Sequence, residues 1–532
     1  MRTPYSLHES FFPFKNLVNQ STRVRSTYSI MKNISSVFTY SAFILALLII
    51  AGLATPKTLE TVTANMQAFI SDAFGWYYLI VVTFFLLICI YLFISPVGRI
   101  KLGKQDAKPD FSRPTWIAML FSAGMGIGLV FYGSAEPLSH YAIHSPTGET
   151  GTPQAVKDSL RFTYFHWGLH AWAIYGIVAL VLAYFMFRKN QPVVISATLK
   201  PILGDKADGK TGKIIDILAV LSTVIGVATT LGFGATQING GLSYLFDIPS
   251  NFLIQFIIIV IVTILFIGSA LTGLGKGIKI LSNTNMILAF LLLALMFIVG
   301  PSLFILNLFT DTIGAYLQNL PNMSFRLAPF NEENRAWINS WTIFYWAWWI
   351  AWSPFVGIFI ARVSKGRSIR EFVFHVLVIP SLIGFFWFST FGGSAIKVES
   401  EGIATISSLS LEQSLFGVFA NYPLGSFMSI IAIILVITFF ITSADSGTFV
   451  LSMMSTNGSP NPANSIKIIW GILLTATALI LLYSGGLLAL QNTMIVAALP
   501  FSVIMLLMTV SFLKSLKAEA KELLRLHPRE KR

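Results

Sequence analysis

Charge is what this sequence has least of. Only 11% of its 532 residues are Asp, Glu, Lys or Arg, against about 25% in a soluble globular chain. Hydrophobic residues make up 55%, and the mean hydropathy is +0.73. This points away from soluble enzymes and towards a polytopic membrane protein. Cysteine is nearly absent. The single Cys89, in "LLICIY", has no partner for an internal disulfide and reads as a small buried apolar residue. No "GxxxxGK[ST]" loop is present, so ATP-driven transport within this chain is not expected. "HExxH" is also missing, and His166 and His170, four apart, read as a packed or hydrogen-bonded pair rather than a zinc site. No nucleophile stands with a base or a metal set, so neither an enzyme nor an organic cofactor is expected.

Long apolar runs are what the sequence does have. Twelve are expected to span a membrane, near 35–55, 74–96, 114–132, 159–187, 214–243, 251–271, 282–306, 337–361, 373–394, 427–450, 467–484 and 488–512. The first is long and lacks a cleavage site, so it reads as a retained anchor. The expected organisation is a tail over 1–34, a membrane domain over 35–512 and a basic tail over 513–532. With both termini cytoplasmic, six basic residues fall outside: Lys57, Lys157, Arg161, Arg326, Arg335 and Lys397. The other thirty of the 36 lie inside. This bias sets the orientation and explains the net charge of +13 without nucleic acid.

A connection over 307–336 separates segments 3–7 from segments 8–12, and its first part has helical spacing (Leu308, Ile313, Tyr316, Leu317, Leu320). The two groups of five enter from opposite sides. The expected fold is all-α, with two inverted five-helix repeats, near 114–306 and 337–512, behind two extra helices. Segment 3 carries Gly124, Gly126 and Gly128 in "AGMGIG". Segment 8 carries Pro354 and Gly357 in "WSPFVG". Interruptions at corresponding positions point to a midplane site where opened backbone offers N–H groups to an anion and carbonyls to a cation. For Gly124 and Gly128, close helix packing is the alternative.

Tryptophan is unusually dense. "WTIFYWAWWIAWSP" holds Trp341, Trp346, Trp348, Trp349 and Trp352, and "FHWGLHAWAIY" holds Trp167, Trp172 and Tyr175. Trp341 fits an interfacial belt and Trp346 fits packing. The others sit at middle depth, where an indole N–H needs a partner. Tryptophan faces attract cations, by about 2 kcal/mol or more when desolvated. A quaternary ammonium suits such a cage, because it has no N–H donors to satisfy. Core packing is the plainer alternative.

"AGMGIGLVFYGSAEP", "FHWGLHAWAIY", "WAWWIAWSPFVGIFIARVSKGRSIREF" and "FFITSADSGTF" resemble the signatures of the betaine/choline/carnitine transporters over about residues 35–510. The resemblance implies secondary transport in a bacterial inner membrane, with homotrimers. It matches Trp167, Trp172, Tyr175, Trp348, Trp349 and Trp352 to an aromatic box around a trimethylammonium group, beside the backbone of Ala123, Gly124, Met125 and Gly126. A sodium site would use the carbonyls of Ser122, Met125 and Phe439 with the side chains of Thr442 and Ser443. A second would use Thr223 and Phe355, but Val227 stands where the family pattern has a second threonine. Gly128, where proton-coupled choline carriers resemble one another in an aspartate, leaves the site without a formal anion and favours a zwitterion. No Lys or Arg lies between Lys213 and Lys276 to replace the ion, so Na+ coupling is expected. Glycine betaine uptake for osmoprotection is the implied function. A choline or carnitine carrier and a transporter-like sensor are the alternatives. Asp445 is either a functional acid or a structural acceptor. The tail is either a solvated helix end or a segment held on anionic lipid.

Overall fold

The computed structural model describes the backbone of residues 35–124, 126–272 and 277–526. The expected 1–34 tail, Met125 and the last six residues lie outside these. No strand occurs among the described residues, and one isolated antiparallel bridge pairs Lys101 with Ser368. Ten helical stretches among them are long and apolar enough to cross a membrane. The chain is a multi-pass membrane protein.

The helices are α1 Ser36–Ala54, α2 Pro56–Ile94, α3 Arg113–Gly124, α4 Ile127–Leu138, α5 Pro153–Trp167, α6 Leu169–Ala183, α7 Lys210–Phe246, α8 Phe252–Thr272, α9 Gly277–Val299, α10 Ser302–Ser324, α11 Phe344–Val363, α12 Ile369–Ser400, α13 Gly425–Met454 and α14 Asn464–Leu526. Their starts follow from local chemistry. The Ser35 hydroxyl accepts from the Phe38 N–H. Thr152 caps α5, with Pro153 at its first position. Ser368 caps α12 through the Glu371 N–H, with Glu371 in the first turn where the helix dipole favours an acid.

Three interruptions shape the bundle. α3 stops at Gly124 and α4 starts at Ile127, so the glycine-rich stretch opens where expected. α5 and α6 are separated by Gly168, which the sequence did not single out. A Cβ there would stand 2.5 Å from the Tyr164 carbonyl oxygen and 2.8 Å from the Phe385 ring. α14 contains Gly485 and Gly486 in non-helical conformations. Gly486 has φ +62°, a region that favours glycine, and the run is two helices in series.

The expected break at Pro354 is absent: α11 runs unbroken from Phe344 to Val363. Proline leaves the Ile350 carbonyl without its helical donor. The Ser353 hydroxyl donates to that oxygen at 2.7 Å, which repairs the helix locally. The irregularity lies earlier, in a wide π-type turn over Asn339–Ile343. Segment 3 also extends past its expected end, through Pro137 to Leu138 and a second wide turn over Ser139–Ile143.

The connecting helix α10 starts earlier than expected, at Ser302. It buries Ile305, Leu308, Thr312, Tyr316 and Met323 at helical spacing, while Leu317 faces out. The most apolar windows of the stretches 332–363 and 153–188 are 94% and 89% buried, against 22–28% for those in α1, α8 and α9. The two tryptophan-dense stretches therefore form the centre of the bundle, and α1, α8 and α9, which carry no tryptophan, face outward.

The connections sort onto two faces. On one, the Leu102 N–H donates to the Arg367 carbonyl at 2.8 Å. Arg188 donates to the Lys101 and Gly103 carbonyls and pairs with Glu519, and Lys514 donates to the Pro201 carbonyl. This joins the connections after segments 2, 4 and 8 with the C-terminal helix, all expected on one side. On the other face, Arg326 donates to the Pro146 carbonyl and Arg335 to those of Ser71 and Asp72.

Candidate functional site

At the level of the α3–α4 break the bundle encloses a cavity. Its wall is Gly126, Ile127, Gly128 and Leu129 from the break, Trp167 and Tyr175 from α5 and α6, Thr230 from α7, and Trp348, Trp349 and Trp352 from α11. The space not filled by atoms among these walls, open solvent included, is about 350 Å³. The i, i+4 and i, i+3 spacing of Trp348, Trp349 and Trp352 brings all three to one side of α11.

Hydrogen bonds hold the indoles. Trp352 Nε1 donates to the Gly226 carbonyl at 2.8 Å and Trp348 Nε1 to Thr230 Oγ1 at 3.3 Å. Trp167 Nε1 donates to Glu136 Oε2 at 2.8 Å. The N–H groups of Trp167, Trp348 and Trp352 are thus engaged, that of Trp349 is buried without a partner, and the rings themselves line the cavity. Tyr175 stands against Trp349 with centroids 4.6 Å apart, and Trp167 stands edge-on to both Trp348 and Trp349. A Cβ on Gly128 would meet Trp348 Cη2 at 2.4 Å and Trp167 Cη2 at 3.2 Å, so the rings close over a position that has no side chain.

Not every candidate lines the cavity. Trp172 is fully buried behind Trp349, 5.8 Å between centroids, and is not on the wall. Ser122, Ala123 and Gly124 form the last turn of α3. Met125 and the side chains of 121–124 lie outside the described residues. Trp346 packs on Phe165 and His170, as expected. Trp341, expected in an interfacial belt, instead turns inward onto His140, with ring centroids 4.6 Å apart.

Of the residues expected at the first ion site, some come together. The Ser443 hydroxyl lies 3.8 Å from where a Cβ on Gly126 would stand, so α13 meets the break directly. Thr442 donates to the carbonyls of Thr438 and Phe439 on its own helix and accepts from Asn285 Nδ2 at 2.9 Å. Asn285 Oδ1 is buried without a partner. At the second site Thr223 donates to the Ala219 carbonyl at 2.8 Å, Val227 packs on Gly447, and Phe355 packs on Trp352. Asp445 accepts from Ser269 at 2.6 Å, a structural use. His166 and His170 enter separate networks, His170 with Ser324 at 3.0 Å.

Sequence reasoning missed Glu136, Thr230 and Asn285. Glu136 had a readable signal, an acid among apolar residues in "GLVFYGSAEPL". The expected end of segment 3 at residue 132 placed it outside the span. It is fully buried and collects Trp167, Tyr345 and His166, the last at 2.7 Å.

Residues 36–521 match the family described as BCCT, betaine/carnitine/choline family transporter. The chain belongs to this family. Among similar proteins, a glycine betaine transporter, OpuD, of Bacillus subtilis (strain 168) is 61% identical over 493 residues, 93% of this chain and 96% of the relative. An ectoine/hydroxyectoine transporter of Virgibacillus pantothenticus is 44% identical over 491 residues, covering 91% and 97%. A probable glycine betaine transporter of Desulfitobacterium hafniense (strain Y51) is 42% identical over 494 residues, covering 92% and 98%. Family and relatives are transporters, not enzymes.

Proposed function

We propose that this transporter imports a trimethylammonium zwitterion, glycine betaine first, by sodium-coupled alternating access, and that it serves osmoprotection. The observation that carries the reading is the pairing of two unlike walls around one cavity. Indole and phenol rings offer π faces to a quaternary ammonium. The same cavity is lined by the start of α4, where Gly126 provides no side-chain cap. The first N–H groups of a helix lack intrahelical acceptors and carry the positive end of the dipole. The Leu129 N–H bonds back to Gly126 at 3.1 Å, which leaves those of Ile127 and Gly128 for a carboxylate. A cage for N⁺ beside a helix start for COO⁻ fits betaine better than choline, which has no carboxylate. The betaine relatives support the same choice.

Sodium would enter at Ser443 and the opened backbone of the break, with Phe439 and Thr442 beside it; Asn285 adds an oxygen. The second site at Thr223 and Phe355 is a weaker candidate, because Val227 brings no oxygen. Twelve spans in two inverted five-helix repeats, both termini cytoplasmic, and a homotrimer complete the proposal. The clustering of the basic connections on one face supports that orientation. Ectoine is the second candidate, on the strength of the relative at 44% identity. Counterflow in proteoliposomes with labelled betaine, choline, carnitine and ectoine, with and without a sodium gradient, tests all of this. Betaine exchange accelerated by inward sodium is the expected result. Flux that ignores sodium removes the coupling, and absence of flux for all four leaves a sensor.

A further inference from the structure

Glu136 touches the back of the cage and not the cavity. We propose that it is the positioning and electrostatic partner of the cation cage: held as a carboxylate behind Trp167, it fixes that indole and enriches its π face without meeting the substrate. The proposal rests on the trimethylammonium reading above.

The neighbours suit a carboxylate. An indole N–H only donates, so Trp337 Nε1, 3.3 Å from His140 Nδ1, makes Nδ1 an acceptor. The His140 proton is then on Nε2, which faces Glu136 Oε1 at 3.4 Å. His166 presents Nδ1 to the same oxygen at 2.7 Å and Nε2 to the Thr342 hydroxyl at 3.0 Å; with the ring proton on Nδ1, it donates to Glu136 and accepts from Thr342. Oε2 accepts from Trp167 Nε1 and from the Tyr345 hydroxyl. In this arrangement Oε2 accepts from two donors and Oε1 from His166, while the His140 Nε2–H stands near Oε1 without completing a hydrogen bond. A protonated Glu136 would add a hydrogen that no lone pair faces unless His166 gave up its own.

The same network argues against a metal, although Glu136, His140 and His166 hold potential ligand atoms within 4.8 Å of one another. A metal needs an unprotonated His140 Nε2. Its proton would then move to Nδ1 and point at the Trp337 N–H.

The arrangement resolves a difficulty of the site. A carboxylate inside the cavity would be a buried charge without a partner whenever the cavity is empty. Behind the ring, Glu136 keeps its donors in both states. An anion that accepts from an indole N–H pushes electron density into the ring, which strengthens its attraction for a cation. Glu136 and His140 come from α4 and the turn after it, His166 and Trp167 from α5, and Tyr345 from α11. The carboxylate therefore also fixes the break, the cage floor and the cage wall relative to one another.

The test separates electrostatics from scaffolding. Equilibrium binding to the purified full-length protein is measured for glycine betaine and for 3,3-dimethylbutanoate, in which carbon replaces the charged nitrogen. In Glu136→Gln the betaine Kd is expected to rise about tenfold, the size of one hydrogen bond to a charged group, while the Kd of the carbon analogue moves less than about twofold. Tyr345→Phe removes a donor but leaves the carboxylate on Trp167, and should change the ratio of the two Kd values by less than about twofold. Equal losses for both ligands in Glu136→Gln, or no loss for either, overturn the proposal. If Glu136→Gln does not fold, Glu136→Asp, which keeps the charge but withdraws it from the Trp167 N–H, carries the same comparison, and equal losses overturn it there too. No betaine binding by the unmodified protein overturns the substrate reading, and this proposal with it.

Discussion

Replacing Gly128 by alanine is the smallest change that attacks the cage directly. The new Cβ would stand 2.4 Å from Trp348 Cη2 and 3.0 Å from Cζ2. Carbon atoms rest about 3.5–4.0 Å apart, so the indole must retreat by roughly an ångström. It has little room to do so. Phe233, Phe344 and Tyr132 pack around it with centroids 5.2, 5.7 and 5.8 Å away, and its N–H is held by Thr230. Overpacking of this kind costs about 1–3 kcal/mol of stability. The larger effect is on binding, because a displaced Trp348 gives up a desolvated cation–π contact of about 2 kcal/mol, or roughly thirtyfold in affinity. Betaine titration of purified Gly128→Ala by tryptophan fluorescence, beside a thermal unfolding curve, reads both. Wild-type affinity in a folded variant would refute the claim that Gly128 and Trp348 form the wall. A lowered Tm with unchanged affinity would leave Gly128 a packing residue only.

Further changes probe the other parts. Trp349→Ala and Trp352→Ala should each abolish measurable betaine binding while the protein still folds; unchanged affinity in both removes the cage. Ser353→Ala should strand the Ile350 carbonyl that Pro354 leaves open, lowering stability by about 1–3 kcal/mol with betaine affinity retained, and an unchanged Tm would refute that repair. Asn285→Ala should raise the sodium concentration for half-maximal uptake several-fold while uptake at saturating sodium persists; an unaltered sodium dependence takes Asn285 out of the ion site.

The all-helical fold and most of the cavity wall were legible because both rest on local pattern. Long apolar runs need no partner to be recognised. Trp348, Trp349 and Trp352 share a face by spacing alone, and the three alternate glycines of "AGMGIG" mark the stretch where the chain opens. The errors came from groups whose role depends on a neighbour. Pro354 looked like a break because its lost bond is visible in the sequence, whereas the repair by Ser353 Oγ is a matter of rotamer. Gly168 looked ordinary because the atoms that forbid a Cβ there, on Tyr164 and Phe385, include one on another helix. Trp172 has the composition and depth of a cage residue, but its position in α6 sets it behind Trp349. Glu136 was lost to a boundary six residues short, which moved a buried acid out of the membrane.

Gly126 carries the argument from binding to coupling. Its backbone lines the cavity, it precedes the helix start that faces a carboxylate, and Ser443 stands against it from α13. One short opening is thus shared by the substrate wall and by the candidate ion ligands. A cation held between Ser443 and the opened carbonyls would set the conformation of that opening. The opening in turn sets where the N–H groups of Ile127 and Gly128 point. Each ligand then prefers the arrangement that the other stabilises, and such a coupling free energy is reciprocal. Sodium should therefore tighten betaine binding by the same factor by which betaine tightens sodium binding. Two titrations on one sample, each at fixed concentrations of the other ligand, measure that equality. Betaine affinity indifferent to sodium would mean that the opening does not join the two sites.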